Sequence, residues 1–171
     1  MPSDVASAQA DGMRWLPRRG WRRIVFLCVV GAAGLFVLAQ AVPYGRSHSN
    51  PRVTREPLWD SPLTRDLAKR ACFDCHSNET TWPWYSNVAP QSWLIQRDVD
   101  GGRSALNFST WDRPQDVGIG DVVEAVSGGG MPPWYYTILQ SRSRLSKAER
   151  QQLVDGLQKT FQASPPLGGG G

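Results

Sequence analysis

Five consecutive residues, Cys72-Phe73-Asp74-Cys75-His76, constrain this chain more than any other feature of its sequence. The C-x-x-C-H order sets two thiols three positions apart with an imidazole beside the second. That arrangement binds a c-type haem covalently: the thiols add to two vinyl groups on one porphyrin edge, and the histidine reaches the iron. A zinc site needs two ligands beyond the thiol pair, and the other candidates are Cys28, inside an apolar run, and His48, which leaves the set one short. A redox pair belongs beside a strand–turn–helix, whereas the residues before Cys72 carry helical spacing. Covalent haem is the expectation.

The chain has 171 residues, enough for one domain with appendages. One appendage is Ile24 to Val42, an uncharged and mostly apolar run about as long as a bilayer-spanning helix. Arg14, Arg18, Arg19, Arg22 and Arg23 precede it. They keep residues 1–23 on the cytoplasmic side and place everything after Pro43 in the periplasm of a bacterium. Ala39-Gln40-Ala41 has the form of a signal-peptidase site, so cleavage after Ala41 competes with a retained anchor. Both place the domain where c-type haem is attached. The long leading segment favours the anchor, which makes the membrane a partner through this single helix.

The formal net charge is +4, and the arginines before the apolar run account for most of it. From Pro43 onward the chain is nearly neutral, which removes nucleic acid from the candidate partners. Asp98, Asp100, Asp112 and Asp116 read as helix caps and solvated loops, since none stands in the loop order of a calcium site.

Residues 43–60 are rich in Pro, Arg and Ser without helical spacing and read as a tether. Ser61-Pro62 then opens a helix, serine as cap and proline at the first position, that carries Leu63, Leu67 and Ala71 on one face. A second helix starts at Pro90 and is expected to stop by Gly101-Gly102. A third carries Ile119, Val122, Val123 and Val126 and stops at Gly128-Gly129-Gly130. The last begins with Ser146 and Glu149 in capping-box order and carries Leu153, Leu157 and Phe161. Residues 163–171 read as a flexible tail. No sheet is visible. The expectation is an all-α, cytochrome c-like helical domain over residues 61–162, built around one covalent haem and preceded by a transmembrane helix.

His76 is the expected proximal iron ligand, its other ring nitrogen donating to a backbone carbonyl. Met131, in a Met-Pro-Pro loop, is the expected distal ligand. The other methionines, Met1 and Met13, precede the apolar run. His48 is a rival that would have to fold back from the tether. The tryptophans of this stretch read mostly as packing residues, and Trp82, Trp84 and Trp134, which flank these ligands, are the candidates from which one or two indole N–H groups are expected to reach a propionate.

Helix, C-x-x-C-H, Met-Pro loop and capped final helix resemble the class I cytochrome c pattern. The runs Cys72 to Thr80, Trp82-Pro83-Trp84-Tyr85-Ser86-Asn87, Ala89-Pro90, Gly102-Arg103, Leu106-Asn107-Phe108-Ser109 and Met131-Pro132-Pro133-Trp134-Tyr135 resemble the bacterial haem-binding domain family more closely. The resemblance implies one covalent haem on Cys72 and Cys75, with His76 proximal and Met131 distal. A monohaem electron carrier with an unnamed redox partner is therefore expected, not an enzyme. A haem sensor with a displaceable distal ligand is the alternative. A peroxidase ranks third for want of a distal acid–base pair.

Overall fold

The computed structural model describes residues 18–167. Residues 1–17 of the expected cytoplasmic stretch and residues 168–171 of the expected tail lie outside the described residues. The chain divides into two compact units, Met1–Val42 and Pro43–Gly171. Seven α-helices and two 3-10 turns make up the regular structure, with no strand among the described residues.

The first unit contributes α1, Arg18–Ala39. Its part Gly20–Ala39 is long and apolar enough to cross a membrane, as an anchor or a signal sequence near the N-terminus would be. The helix stops before the expected Val42 because Pro43 disfavours helical backbone at the residue preceding it.

In the second unit, α2 (Pro62–Ala71) starts as expected, with Ser61 accepting the Thr64 N–H at 3.2 Å. Leu67 and Ala71 are buried, whereas Leu63 turns outward. The single turn α3 (Phe73–His76) follows after Cys72, so the C-x-x-C-H motif is a kinked continuation of α2. Next come α4 (Gln91–Ala105), α5 (Ile119–Ser127), α6 (Trp134–Leu139) and α7 (Lys147–Ala163). Both bonds of the α7 capping box form, Glu149 N–H to Ser146 Oγ at 3.2 Å and Ser146 N–H to Glu149 Oε2 at 2.8 Å.

Two boundaries differ from expectation. α4 runs through Gly101-Gly102 to Ala105, because packing against α3 overrides the local glycine signal. α6 is an additional short helix that begins as soon as Pro133 releases the chain.

The core joins Leu67, Ala71, Leu153 and Leu157 to a run of rings. Phe73 stacks on Phe108 at 5.7 Å, Phe108 on Trp111 at 5.8 Å, and Trp111 meets Phe161 edge-on at 5.0 Å.

Residues 43–60 do not hang free as a tether. Trp59 packs its ring 5.2 Å from Phe108, and its indole N–H reaches Glu56, which in turn takes a two-pronged bond from Arg65. Backbone bonds tie Thr54 N to Ser109 O at 2.9 Å and Trp111 N to Arg55 O at 3.0 Å. The polar composition suggested a solvated linker, but its donors and acceptors are bonded to the domain. The start of the expected tail is tied down too, with Ser164 O accepting from Trp111 Nε1 at 2.8 Å and Leu167 O from Gln115 N at 3.0 Å.

Candidate functional site

The local chain path explains why Cys72, Cys75 and His76 share one wall. Cys72 breaks the regularity of α2 with φ −121°, and the one-turn α3 then carries Cys75 and His76. Helix α4 crosses this turn closely. A Cβ built on Gly102 would lie 2.4 Å from the Cys75 carbonyl oxygen, so only glycine admits that approach.

His76 donates from Nδ1 to the Leu106 carbonyl at 3.0 Å, which sets the tautomer and leaves Nε2 with a free lone pair. Burial lowers its pKa, so the ring is neutral at neutral pH, as a metal ligand must be. The stretch after Leu106 is tied back to the motif. Phe108 N–H bonds back to His76 O at 2.9 Å, and Asn107 spans to Asn78 Oδ1 at 2.9 Å and to the Ser109 N–H at 2.9 Å. The sequence pattern anticipated a carbonyl partner for the ring but gave no means of choosing Leu106.

Arg103 stitches the chain leaving the motif to the segment before it. Its guanidinium donates to Ser77 O at 2.7 Å, Ser49 O at 2.9 Å, Asn50 Oδ1 at 3.0 Å and Thr80 Oγ1 at 2.9 Å. Asp74, between the cysteines, accepts the Thr81 N–H at 2.9 Å, pairs with Arg142 at 3.1 Å and takes a hydrogen bond from Tyr136. Tyr135 likewise donates to Asp98 at 3.1 Å.

Cys72, Cys75, His76 and Met131 all line one cleft of about 500 Å³. An adjoining, more apolar space of about 220 Å³ shares Cys72, His76 and Met131 and is closed by Val122, Val126 and Leu157. A continuous, largely hydrocarbon-walled slot with two thiols, an imidazole and a thioether suits a flat apolar group carrying a metal. Burial pushes both thiols up to about 12, so the pair is protonated at neutral pH, the reverse of what a redox or zinc thiolate pair requires. Among the described residues no cluster of three or more His, Cys, Asp or Glu side chains could hold a metal ion.

Other expected residues lie elsewhere. Trp82 stacks on His48 at 4.7 Å and its indole N–H goes to Asn50 Oδ1 at 3.2 Å. Trp84 and Trp134 are 79% and 73% exposed. None of the three lines either space. On α6 the cleft side belongs to Tyr135 and Tyr136, which turns Trp134 outward. The cation on the cleft wall is Arg97, which adjacency in sequence could not reveal. His48 bonds through Nε2 to Ser86 Oγ at 2.9 Å and is likewise absent from the walls.

No curated protein and no solved structure matches this chain. The family model of the haem-binding domain matches residues 34–159, well over half of the sequence. Every residue lining the cleft falls inside that match. The protein therefore belongs to the haem-binding domain family, and it binds haem.

Proposed function

We propose that this protein is a membrane-tethered monohaem c-type cytochrome that passes single electrons on the periplasmic side of a bacterial inner membrane. One observation carries the reading: both thiols, the oriented imidazole and Met131 line a single cleft. In this reading Cys72 and Cys75 would hold the cofactor by thioether bonds, and His76, through Nε2, and Met131, through its thioether, would be the iron ligands. Bound there, haem supplies a one-electron iron couple. The chain supplies ligands, an apolar wall that excludes water, and Arg97 for an anionic edge. Asp74 and Asp98 are each held by a tyrosine hydroxyl, which supports a framing role for them over proton transfer to a substrate. The helical arrangement around the cleft supports a cytochrome c-like architecture, and Gly20–Ala39 supports a retained anchor.

A second reading, a haem sensor, draws on Met131 being 38% exposed beside a glycine run, where a small molecule could displace it. The two separate in one experiment on the full chain matured with haem in the periplasm. The carrier keeps its haem through denaturing electrophoresis, shows a sulfur-to-iron charge-transfer band when ferric and does not bind carbon monoxide when ferrous. Rapid carbon monoxide binding by the wild type, with a Met131→Ala spectrum unchanged from it, favours the sensor. Haem lost on denaturation overturns covalent attachment.

A further inference from the structure

Met131 stands at the end of a glycine loop. Gly128, Gly129 and Gly130 precede it, and Gly129 has φ +79° with open space around the position of a Cβ. Such a run is free in the unfolded chain and costly to order. Three backbone bonds fold the loop back on α5, Gly128 N–H to Glu124 O at 2.8 Å, Gly129 N–H to Val126 O at 3.2 Å and Met131 N–H to Ala125 O at 2.9 Å, and none of them engages the Met131 carbonyl.

The second hold comes from far along the chain. Arg150 of α7 donates from Nη1 to the Val126 carbonyl and, at 3.1 Å, to the Met131 carbonyl. One guanidinium thus spans both ends of the glycine loop. Its platform is firm, since α7 is capped at Ser146 and buries Leu153, Val154 and Leu157 just beyond. Arg150 lies in the first turn of α7, where a cation opposes the helix dipole, so its position does not serve that helix. It serves the carbonyl end of α5 and the loop beyond.

We propose that Arg150 is a positioning residue for Met131: its guanidinium straps the glycine loop in the conformation that presents the thioether to the iron. The proposal rests on the reading of Met131 as the distal ligand. With the strap in place the loop is ordered before ligation. Without it, binding the iron must also order the glycines, the competent fraction falls, and a competing ligand displaces the thioether more easily.

Imidazole titration of the ferric, haem-loaded full-length protein tests this by following loss of the sulfur-to-iron band. Arg150→Met keeps the apolar stem and removes the donors. It should lower the apparent Kd for imidazole by roughly tenfold, the scale of one charge-assisted hydrogen bond, with haem content and far-ultraviolet circular dichroism at wild-type values. Arg150→Lys should give a smaller shift, because both bonds come from the single nitrogen Nη1 and an ammonium keeps the charge and can donate to two carbonyls from one nitrogen, though on a shorter stem, and it carries the test should Arg150→Met fail to load haem. In a Met131→Ala background the Arg150 change should leave imidazole affinity unaltered, since no thioether remains to be positioned. Equal imidazole affinity in wild type and variants overturns the strap. So does a gain that persists in the Met131→Ala background, which marks a general effect on the cleft. Absence of the sulfur band from the wild type overturns the distal-ligand reading itself.

Discussion

The His76 ring is oriented by the Leu106 carbonyl, thirty positions along the chain, and the neighbouring Asn107 ties that stretch to Asn78. Asn107→Ala strips partners from the buried Asn78 Oδ1 and the Ser109 N–H. A loss of about 1–3 kcal/mol in denaturant stability is expected, because buried polar groups left unpaired keep their full desolvation cost. Weaker orientation of the imidazole should accompany it, visible as a broadened ferric spectrum. Met131→Ala should abolish the sulfur-to-iron band, lower the reduction potential and open ferrous iron to carbon monoxide, while Met131→His should remain six-coordinate at lower potential. Haem binding could be read from the Cys72 to His76 pentad because its residues are contiguous, and the family agrees with that expectation. The direction in which Trp82, Trp84 and Trp134 face could not be read, because sequence proximity to His76 or Met131 says nothing of which way the chain turns its side chains. Arg97 and Leu106 reach the site only through the path of the folded chain.

Helices defined by their own caps could be read directly, and those set by packing could not. Ser146 and Glu149 announced α7, whereas Gly101-Gly102 read as a stop and proved to be a crossing point. Gly102→Ala should drive a methyl group into the Cys75 carbonyl, costing about 1–3 kcal/mol or more as overpacking, and should reduce haem incorporation measured per polypeptide. The cap predicts an acid response. Hydrogen bonds from Ser146, then the Arg70 guanidinium, lower the Glu149 pKa from 4.5 to about 2. A carboxyl depressed on folding stabilises fully above its unfolded pKa, and that contribution fades as pH falls from about 4.5 toward about 2. Glu149→Gln should therefore flatten the acid limb in that window when unfolding is followed by circular dichroism, with the neutral amide still able to accept the capping bond.

At the scale of the whole chain, the all-helical class and the apolar N-terminal helix were legible, but residues 43–60 looked like a solvated leash. Single-residue properties made them so: the arginines are polar, the prolines interrupt any helical spacing, and only the partners at Ser109, Thr80 and Arg103 show them to be part of the domain. Removing residues 43–60 should unfold the haem domain or leave it open to proteases, whereas a true leash would leave its melting temperature unchanged. Reporter fusions after Tyr44 should report export, and mass analysis of the mature chain should find Ile24 to Val42 still present if α1 is an anchor. The packing of residues 43–60 also sets a timetable. They are made before the thiols, yet the residues that hold them, from Thr80 to Trp111, come later in synthesis. The segment thus cannot close until those residues have emerged, and its long-range pairings delay it further. During that interval Cys72 and Cys75 have not acquired the buried state that raises their pKa to about 12, and they stand open to solvent. Under the covalent attachment proposed above, late closure of this segment would leave the thiols accessible to haem until the bonds form, and the finished fold would then seal them.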